Sequence, residues 1–432
     1  MAEVKRPTEA VEEKPAPRTS DAFTASGVIG VHGIEHMYGR AFNVTIPYIR
    51  DDLGLSYLQS YLMDGIRSIA SGLTSMGSGF FSDLFQDRRV QMMTISMALV
   101  GSGYLLVAVS PIYALIVIFL ILPSVGAALW HPPALAMLSQ RFPRSRGFLT
   151  SLHRSTGNLG DTIAPLIAGS LLIEALDIDW RWVLGAGAPM VFVLALLIPM
   201  LLRSWGRGPR LQEASFGRNT KAQFHSLMQA FKGGGLWAIA PIFAVSAVHG
   251  MGDRALLTMI PIYIHEVLEE ESAFFGGFFG VGFHLALLSA GVIAVGPVLG
   301  AYSDRIGRKP LIILAMFVAA VSSLGMALSG VSIGFTIAVA VFGCFAFSVN
   351  SLTQAAAMDI AHGRQLEGTF VGLMWGFNAF FGFATALSAG ALADAAGPEA
   401  VFYLASAIFT VGFLMSLFMS STGSRRPLKA RD

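Results

Sequence analysis

GPVLGAYSDRIGRKPLI, residues 296–312, leaves one apolar run, crosses Asp304, Arg305, Arg308 and Lys309, and enters another apolar run. Charges flanked in this way read as a short polar turn between two helices that share an apolar solvent. The stretch also has a shorter echo. GFFSD at 79–83 corresponds to GAYSD at 300–304, an offset of 221. RAFNVTIP at 40–47 matches RALLTMIP at 254–261 at an offset of 214. Arg146-Gly147 corresponds to Glu367-Gly368, and LIAGSL at 166–171 to LSAGAL at 387–392, both again at 221. Four matches in order at nearly constant spacing indicate an internal repeat.

Composition says what the repeat is made of. The 432 residues are 54% hydrophobic and 13% charged, with a mean hydropathy of +0.63; a soluble protein is about 25% charged. So few charges cannot cover the surface of several soluble domains. The apolar residues fall in blocks that match the ~30 Å hydrocarbon core at about 1.5 Å per residue. The chain is therefore expected to be an all-α multi-pass membrane protein. Its spans are read at 22–49, 57–84, 90–109, 112–139, 147–174, 181–203, 236–265, 273–302, 310–330, 332–360, 368–393 and 399–420.

Lys and Arg orient these twelve spans. With both termini cytoplasmic, the outer loops carry only Arg50 and Arg181, while the inner segments carry most of the 29 Lys and Arg; cytoplasmic loops are enriched in these residues. The domain reading follows: a disordered cytoplasmic tail at 1–21, a six-helix bundle at 22–203, a cytoplasmic linker at 204–235, a second bundle at 236–420 and a tail at 421–432. The N-terminal tail is polar and contains proline, unlike a signal peptide. A single cysteine, Cys344, excludes an intrachain disulfide framework. Duplicated bundles place a central site where the repeats meet, and rocking of the halves exposes it to each side in turn.

At residues 296–312 the chain resembles the major facilitator superfamily. Gly300, Asp304, Arg305, Gly307, Arg308 and Lys309 match that family's signature between the eighth and ninth spans. The first copy keeps Gly79, Asp83 and Arg88 but has Leu84, Gln86 and Asp87 where Arg, Gly and Arg are usual. The resemblance implies twelve helices in two pseudo-symmetric bundles. It also implies that Asp83 and Asp304 latch the cytoplasmic side by capping a neighbouring helix end as carboxylates. Residues 36–57 and 146–169 resemble the first and fifth helices of fosmidomycin-resistance-type bacterial facilitators. Gly157, Gly160, Pro165 and Gly169 resemble the antiporter pattern, with Ala164 standing where Gly is usual.

Within the spans lie Glu35, Asp64, Asp161 and Asp253, with Arg40, Arg67, Arg154 and Arg254. Each costs ~3 kcal/mol at the bilayer centre on insertion scales. These charges must pair or face a wet cavity. Asp64 and Arg67, three residues apart, can neutralise each other. His32, Glu35, His36, Arg40 and Asn43 form one stripe on the first helix, and Arg154, Asn158 and Asp161 another on the fifth. His249 and Asp253 share a face of the seventh, with Arg254 turned about 100° away. Arg40 and Arg254 are equivalent in the repeat, so their guanidiniums can converge on a carboxylate, phosphate or phosphonate. In the alternative, Glu35 and Asp253 neutralise them internally.

The expected substrate contacts are Arg40, Arg254, His36, Asn43, His131, Arg154, Asn158 and His249. Glu35, Asp161, Asp253 and His32 are the expected proton-coupling groups. His153 could also touch the cavity, and each histidine could instead be a packing residue.

His32-x-x-Glu35-His36 has the spacing of a zinc peptidase, but no soluble catalytic domain surrounds it. Carriage of a transition metal by His32, Glu35, His36, His249 and Asp253 is an alternative, with drug or metabolite efflux and a non-transporting sensor as others. No Walker-type phosphate loop occurs. The expectation is a non-enzymatic, monomeric secondary transporter in the cell (inner) membrane. It moves a small, anionic organic solute with protons, without cofactor, resident metal or nucleic acid.

Overall fold

A computed structural model describes residues 19–142, 145–205, 235–272, 279–361 and 367–420. Most of the N-terminal tail, the whole of the C-terminal tail, nearly all of the linker and the start of the expected eighth span lie outside the described residues. Among the described residues there is no strand. The first half contains α1 (Thr19–Leu53), α2 (Tyr57–Leu84), a 3₁₀ turn (Gln86–Arg88) and α3 (Arg89–Ala108). It continues with α4 (Tyr113–Phe119), α5 (Ile121–Arg141), α6 (Arg146–Pro165) and α7 (Trp180–Leu201). The second half contains α8 (Gly235–Tyr263), α9 (Val281–Ile306), α10 (Arg308–Ser329), α11 (Ile333–Ala361), α12 (Glu367–Ala396) and α13 (Glu399–Leu417).

Local chemistry sets several helix ends. Gly54 turns the chain at φ +60°. Ser56 then caps α2 by accepting from Gln59 N, while the Gln59 side chain accepts from Ser56 N, so two otherwise orphaned donors are satisfied. Asp179 caps α7 through Arg181 N. Gly307, at φ +94°, makes the sharp turn from α9 into α10.

Among the described residues three spans depart from uniform helix; the expected seventh passes from α8 into a π-helical stretch, Ile264–Leu268. The expected fourth span is broken at Leu120 into α4 and α5. The expected fifth ends as α-helix at Pro165 and continues as a π-helical stretch, Leu166–Ala175. Proline lacks the N–H that an unbroken α ladder needs.

Eight described helical segments are long and apolar enough to cross a membrane by length and composition. They comprise α3, the α4–α5 pair, α7 and α9–α13. The long helices outside this set are α1, α2, α6 and α8, which carry all eight of the expected in-span charges. Large apolar side chains such as Trp182, Leu196, Met200 and Leu328 stand exposed on the outer face, where a soluble protein would risk aggregation.

Within the first half α1 packs on α6, and α3 on α5 and α7; within the second, α10 packs on α13, and α9 on α11. The halves meet where α2 runs along α12 and α6 along α9. A Cβ built on Gly282 would lie 2.3 Å from Ser170 N and 2.4 Å from Pro165 O. The α6–α9 crossing is therefore a backbone-to-backbone contact that only small residues permit.

Polar links between the halves gather at the end carrying the α1–α2 turn. Arg50 pairs with Glu266, whose other oxygen accepts from Tyr57 Oη at 2.7 Å. His265 lies 2.9 Å from Asp51 and 2.9 Å from Glu269. Glu174 accepts from Gly282 N at 3.0 Å, and Asp394 accepts from the first N–H groups of α2, Tyr57 and Leu58.

The signature residues lie at the opposite end. Asp304 pairs with Arg308 at 2.5 Å, and Lys309 Nζ donates to Leu417 O at 2.7 Å, closing the end of α13. Arg305 is exposed, and Gly79 and Gly300 have open space around them. Arg88 lies 5.9 Å from the Phe85 ring centroid. Asp83 is on α2, and its side chain lies outside the described residues.

The close crossing gives a direct test. Gly282→Leu must push α9 off α6 and is expected to lower the detergent-solubilised melting temperature or prevent monodisperse expression. Gly30→Leu, at a position with no atom within 4 Å of a new Cβ, is expected to leave both unchanged in fluorescence-detected size exclusion.

Candidate transport cavity

The charged helices face one another. Glu35, His36, Gly39, Arg40 and Asn43 of α1, Asp64, Arg67, Ser68 and Ser71 of α2, Tyr104 of α3, Ser124 of α5, Asp161 of α6 and Arg254 of α8 line one cavity of about 280 Å³. A larger cavity of about 510 Å³ lies between α1, α6 and α7. Its wall is almost wholly apolar, and the Tyr38 hydroxyl that reaches it is already bonded to Leu184 O. It holds no charged group with which to orient a polar solute. The smaller, polar cavity is the candidate site.

Each cavity arginine meets a carboxylate or amide oxygen. Arg254 Nη1 lies 2.5 Å from Asp64 Oδ2, joining the two halves. Arg67 Nη1 lies 3.4 Å from Asp64 Oδ1 and donates to Asn43 Oδ1 at 2.6 Å. Its other nitrogen reaches Tyr104 Oη at 3.3 Å, and the guanidinium sits 4.6 Å over the Phe42 ring. Arg40 Nη2 lies 3.5 Å from Asp161 Oδ2, and Asp161 Oδ1 lies 3.2 Å from His36 Nδ1. The partners of Arg40 and Arg254 are thus Asp161 and Asp64, rather than Glu35 and Asp253. The three guanidiniums face three carboxylates, Glu35, Asp64 and Asp161, with the His36 imidazole beside them.

Beside the cavity four imidazoles come together. His32 stacks on His153 with centroids 3.7 Å apart, and lies 4.5 Å from His36 and 5.0 Å from His131. His131 meets Trp375 of the second half edge to face at 6.2 Å. Gly157 makes room for them, since a Cβ there would lie 2.9 Å from His32 Nε2 and 3.1 Å from His36 Nε2.

Residues 29–386 match the family described as the Major Facilitator Superfamily. The chain belongs to this superfamily. Its relatives include an uncharacterised MFS-type transporter of Bacillus subtilis, YfnC, 23% identical over 87% of this chain and 88% of that protein. The puromycin resistance protein pur8 of Streptomyces alboniger is 31% identical over 51% of this chain, and the fosmidomycin resistance protein of Escherichia coli 22% identical over 45%. Those two matches span 41% and 47% of the relatives' own lengths. Among solved structures, the peptide transporter POT in complex with sulfate superposes with a TM-score of 0.73 at 14% identity, over 91% of this chain and 93% of that one. This likeness concerns the fold.

The facilitator fold gathers some of the residues singled out by sequence and disperses others. Arg40, Arg254, His36, Asn43, Glu35 and Asp161 line the cavity. His32 and His131 join the imidazole cluster behind it. Arg154 instead bridges the halves through Ser351 Oγ at 2.8 Å and Gln354 Oε1 at 3.1 Å. The backbone carbonyl of Asn158 accepts from Thr162 Oγ1. His249 is fully buried, 3.4 Å from Asp253 and 2.7 Å from Ala346 O, and neither His249 nor Asp253 is among the lining residues.

Sequence reading passed over Ser68, Ser71, Tyr104 and Ser124. Ser68 and Ser71 continue the Asp64–Arg67 stripe at i+4 and i+7, a signal present in the sequence. Tyr104, the single tyrosine of a largely apolar helix, carried none.

Removing one partner of a buried ion pair leaves the other uncompensated, at a cost of about 3–5 kcal/mol. Asp64→Ala is expected to lose about that much. Asp64→Ala/Arg254→Ala should lose less than the two single changes together in a thermal-unfolding double-mutant cycle. Additive losses would mean that the two side chains do not interact.

Proposed function

We propose that this facilitator carries a small anionic organic solute across the membrane by alternating access, with protons as the coupling ion. The observation that carries this reading is the placement of Arg40 and Arg254, equivalent positions of the two repeats, on one cavity wall. Guanidiniums grip carboxylates and phosphonates bidentately. A cavity of about 280 Å³ suits a small solute.

Charge balance supplies the coupling. Asp161 already answers Arg40 and Asp64 answers Arg254, so an anion entering alone would add an uncompensated charge. If Asp161 takes a proton as the anion replaces it on Arg40, the charge of the cavity is unchanged. The anion and the proton then travel together. Asp64 and Arg254 couple the same exchange to the contact between the halves.

With twelve crossings and both termini cytoplasmic, the Arg50–Glu266 clasp lies at the outer mouth and the Asp304–Arg308 pair at the inner one. Opening outward then requires the clasp to part. A monomer contains every residue this cycle uses. Export of a foreign solute is the second reading, favoured by the relatives named for resistance to puromycin and fosmidomycin; it uses the same cavity.

Proteoliposome transport tests the proposal. Arg40→Lys and Arg254→Lys keep the charge but lose the planar fork, so both are expected to raise the solute KM about tenfold or more, the effect of losing ~1.4 kcal/mol. Asp161→Asn should keep solute counterflow but lose accumulation driven by a pH gradient. Undiminished pH-driven accumulation in both Asp161→Asn and Glu35→Gln would remove the coupling mechanism, and unchanged affinity in both Lys variants would remove the anion.

A further inference from the structure

The imidazole cluster is more than the proposed anion exchange requires, since that exchange uses Asp161 and the arginines. His32, Glu35 and His36 project from adjacent turns of α1, and His131 comes from α5. One ligand atom from each of the four lies within 4.8 Å of all the others. Tetrahedral ligands at metal distances of 2.0–2.1 Å stand about 3.3 Å apart. The separations need to close by up to about 1.5 Å to reach that spacing. Three imidazoles and a carboxylate suit a divalent first-row transition ion rather than Mg²⁺ or Ca²⁺, which take all-oxygen shells.

A second, independent observation points to a ligand. His32 is 2% exposed and Glu35 5%, yet His32 Nδ1 and Glu35 Oε2 are buried without a hydrogen-bond partner. They approach each other only to 3.8 Å, too far for a hydrogen bond. Buried polar atoms in native proteins are nearly always satisfied. Packing alone does not explain the pair, because apolar side chains would fill the space without the cost of desolvation.

The surroundings are those of a metal site. Asp161 sits on His36 Nδ1 at 3.2 Å, leaving Nε2 on the side of Glu35, 3.9 Å from its Oε2. A carboxylate on the far nitrogen of a ligating histidine fixes its tautomer and orientation. His153 stacks on His32 at 11° and holds that ring in place. Gly157 leaves the space that both His32 and His36 occupy. Glu35 and His36 also line the polar cavity, which gives an ion a route in.

We propose that His32, Glu35, His36 and His131 form a binding site for a divalent transition-metal ion, with Asp161 positioning His36. The site lies within the first half and stands whether or not the transported solute is an anion.

The test uses the purified full chain in detergent, with its affinity tag removed and any metal stripped by chelator. ZnCl₂ is titrated by calorimetry, and CoCl₂ by visible absorption. One Zn²⁺ per chain and the intense absorption of four-coordinate Co²⁺ are expected. Asp161→Asn should weaken Zn²⁺ about 10–100-fold, the range for loss of an outer-shell partner. His32→Ala, His131→Ala and the near-isosteric Glu35→Gln should weaken it further. Gly157→Ala, which keeps every donor but crowds the rings, should also weaken it. His265→Gln, in the distant clasp, should bind as the unaltered chain does. No saturable Zn²⁺ binding, equal loss in His265→Gln, or undiminished affinity in monodisperse Glu35→Gln and His32→Ala would overturn the site.

Discussion

An ionised group removed from water must meet its opposite, and this requirement organises the interior of the bundle. Asp64 answers Arg254 across the two halves and Arg67 along its own helix; Asp161 answers Arg40 between α1 and α6. The four helices that carry these charges turn them inward, and the more apolar helices surround them. The cavity exists because those side chains hold apart what would otherwise be an apolar seam. Its three arginines face three carboxylates, which offsets the cost of taking each charge out of water.

The same economy separates two kinds of contact between the halves. Where α9 crosses the end of α6 and the π-helical stretch after it, Gly169 and Gly282 bring backbones together, a close contact that carries one bond from Gly282 N to Glu174. The clasp formed by Arg50, Glu266, His265 and Asp51 is polar and partly exposed, so water can replace each partner when it opens. A rocking pair of bundles needs one of each. Arg154 adds a further link, bonding to Ser351 and Gln354 where sequence alone placed it among the solute contacts.

Much of this was readable one helix at a time. The stripe His32, Glu35, His36, Arg40 and Asn43 follows from helical spacing, and so does the Asp64–Arg67 pair. The equivalence of Arg40 and Arg254 follows from the repeat. What spacing along one helix cannot say is which residue of another helix comes near. Sequence therefore offered Glu35 and Asp253 as partners for the arginines, whereas packing supplies Asp161 and Asp64. Asp253 turns instead to His249, behind the cavity wall. The π-helical stretch after Pro165 was equally hidden, because a proline announces a disturbed ladder but not the form of its repair.

By itself the sequence determined the apolar solvent, the helical class, the duplication and the list of charges that must be hidden, because these depend on composition and on periodicity within single segments. Tertiary structure alone decided how the charges pair. It also brought His131 and His153, about a hundred residues along the chain, against His32, with Gly157 leaving space for His32 and His36. Such choices depend on distances between helices, set by small-residue crossings and bundle packing, and no local pattern encodes them.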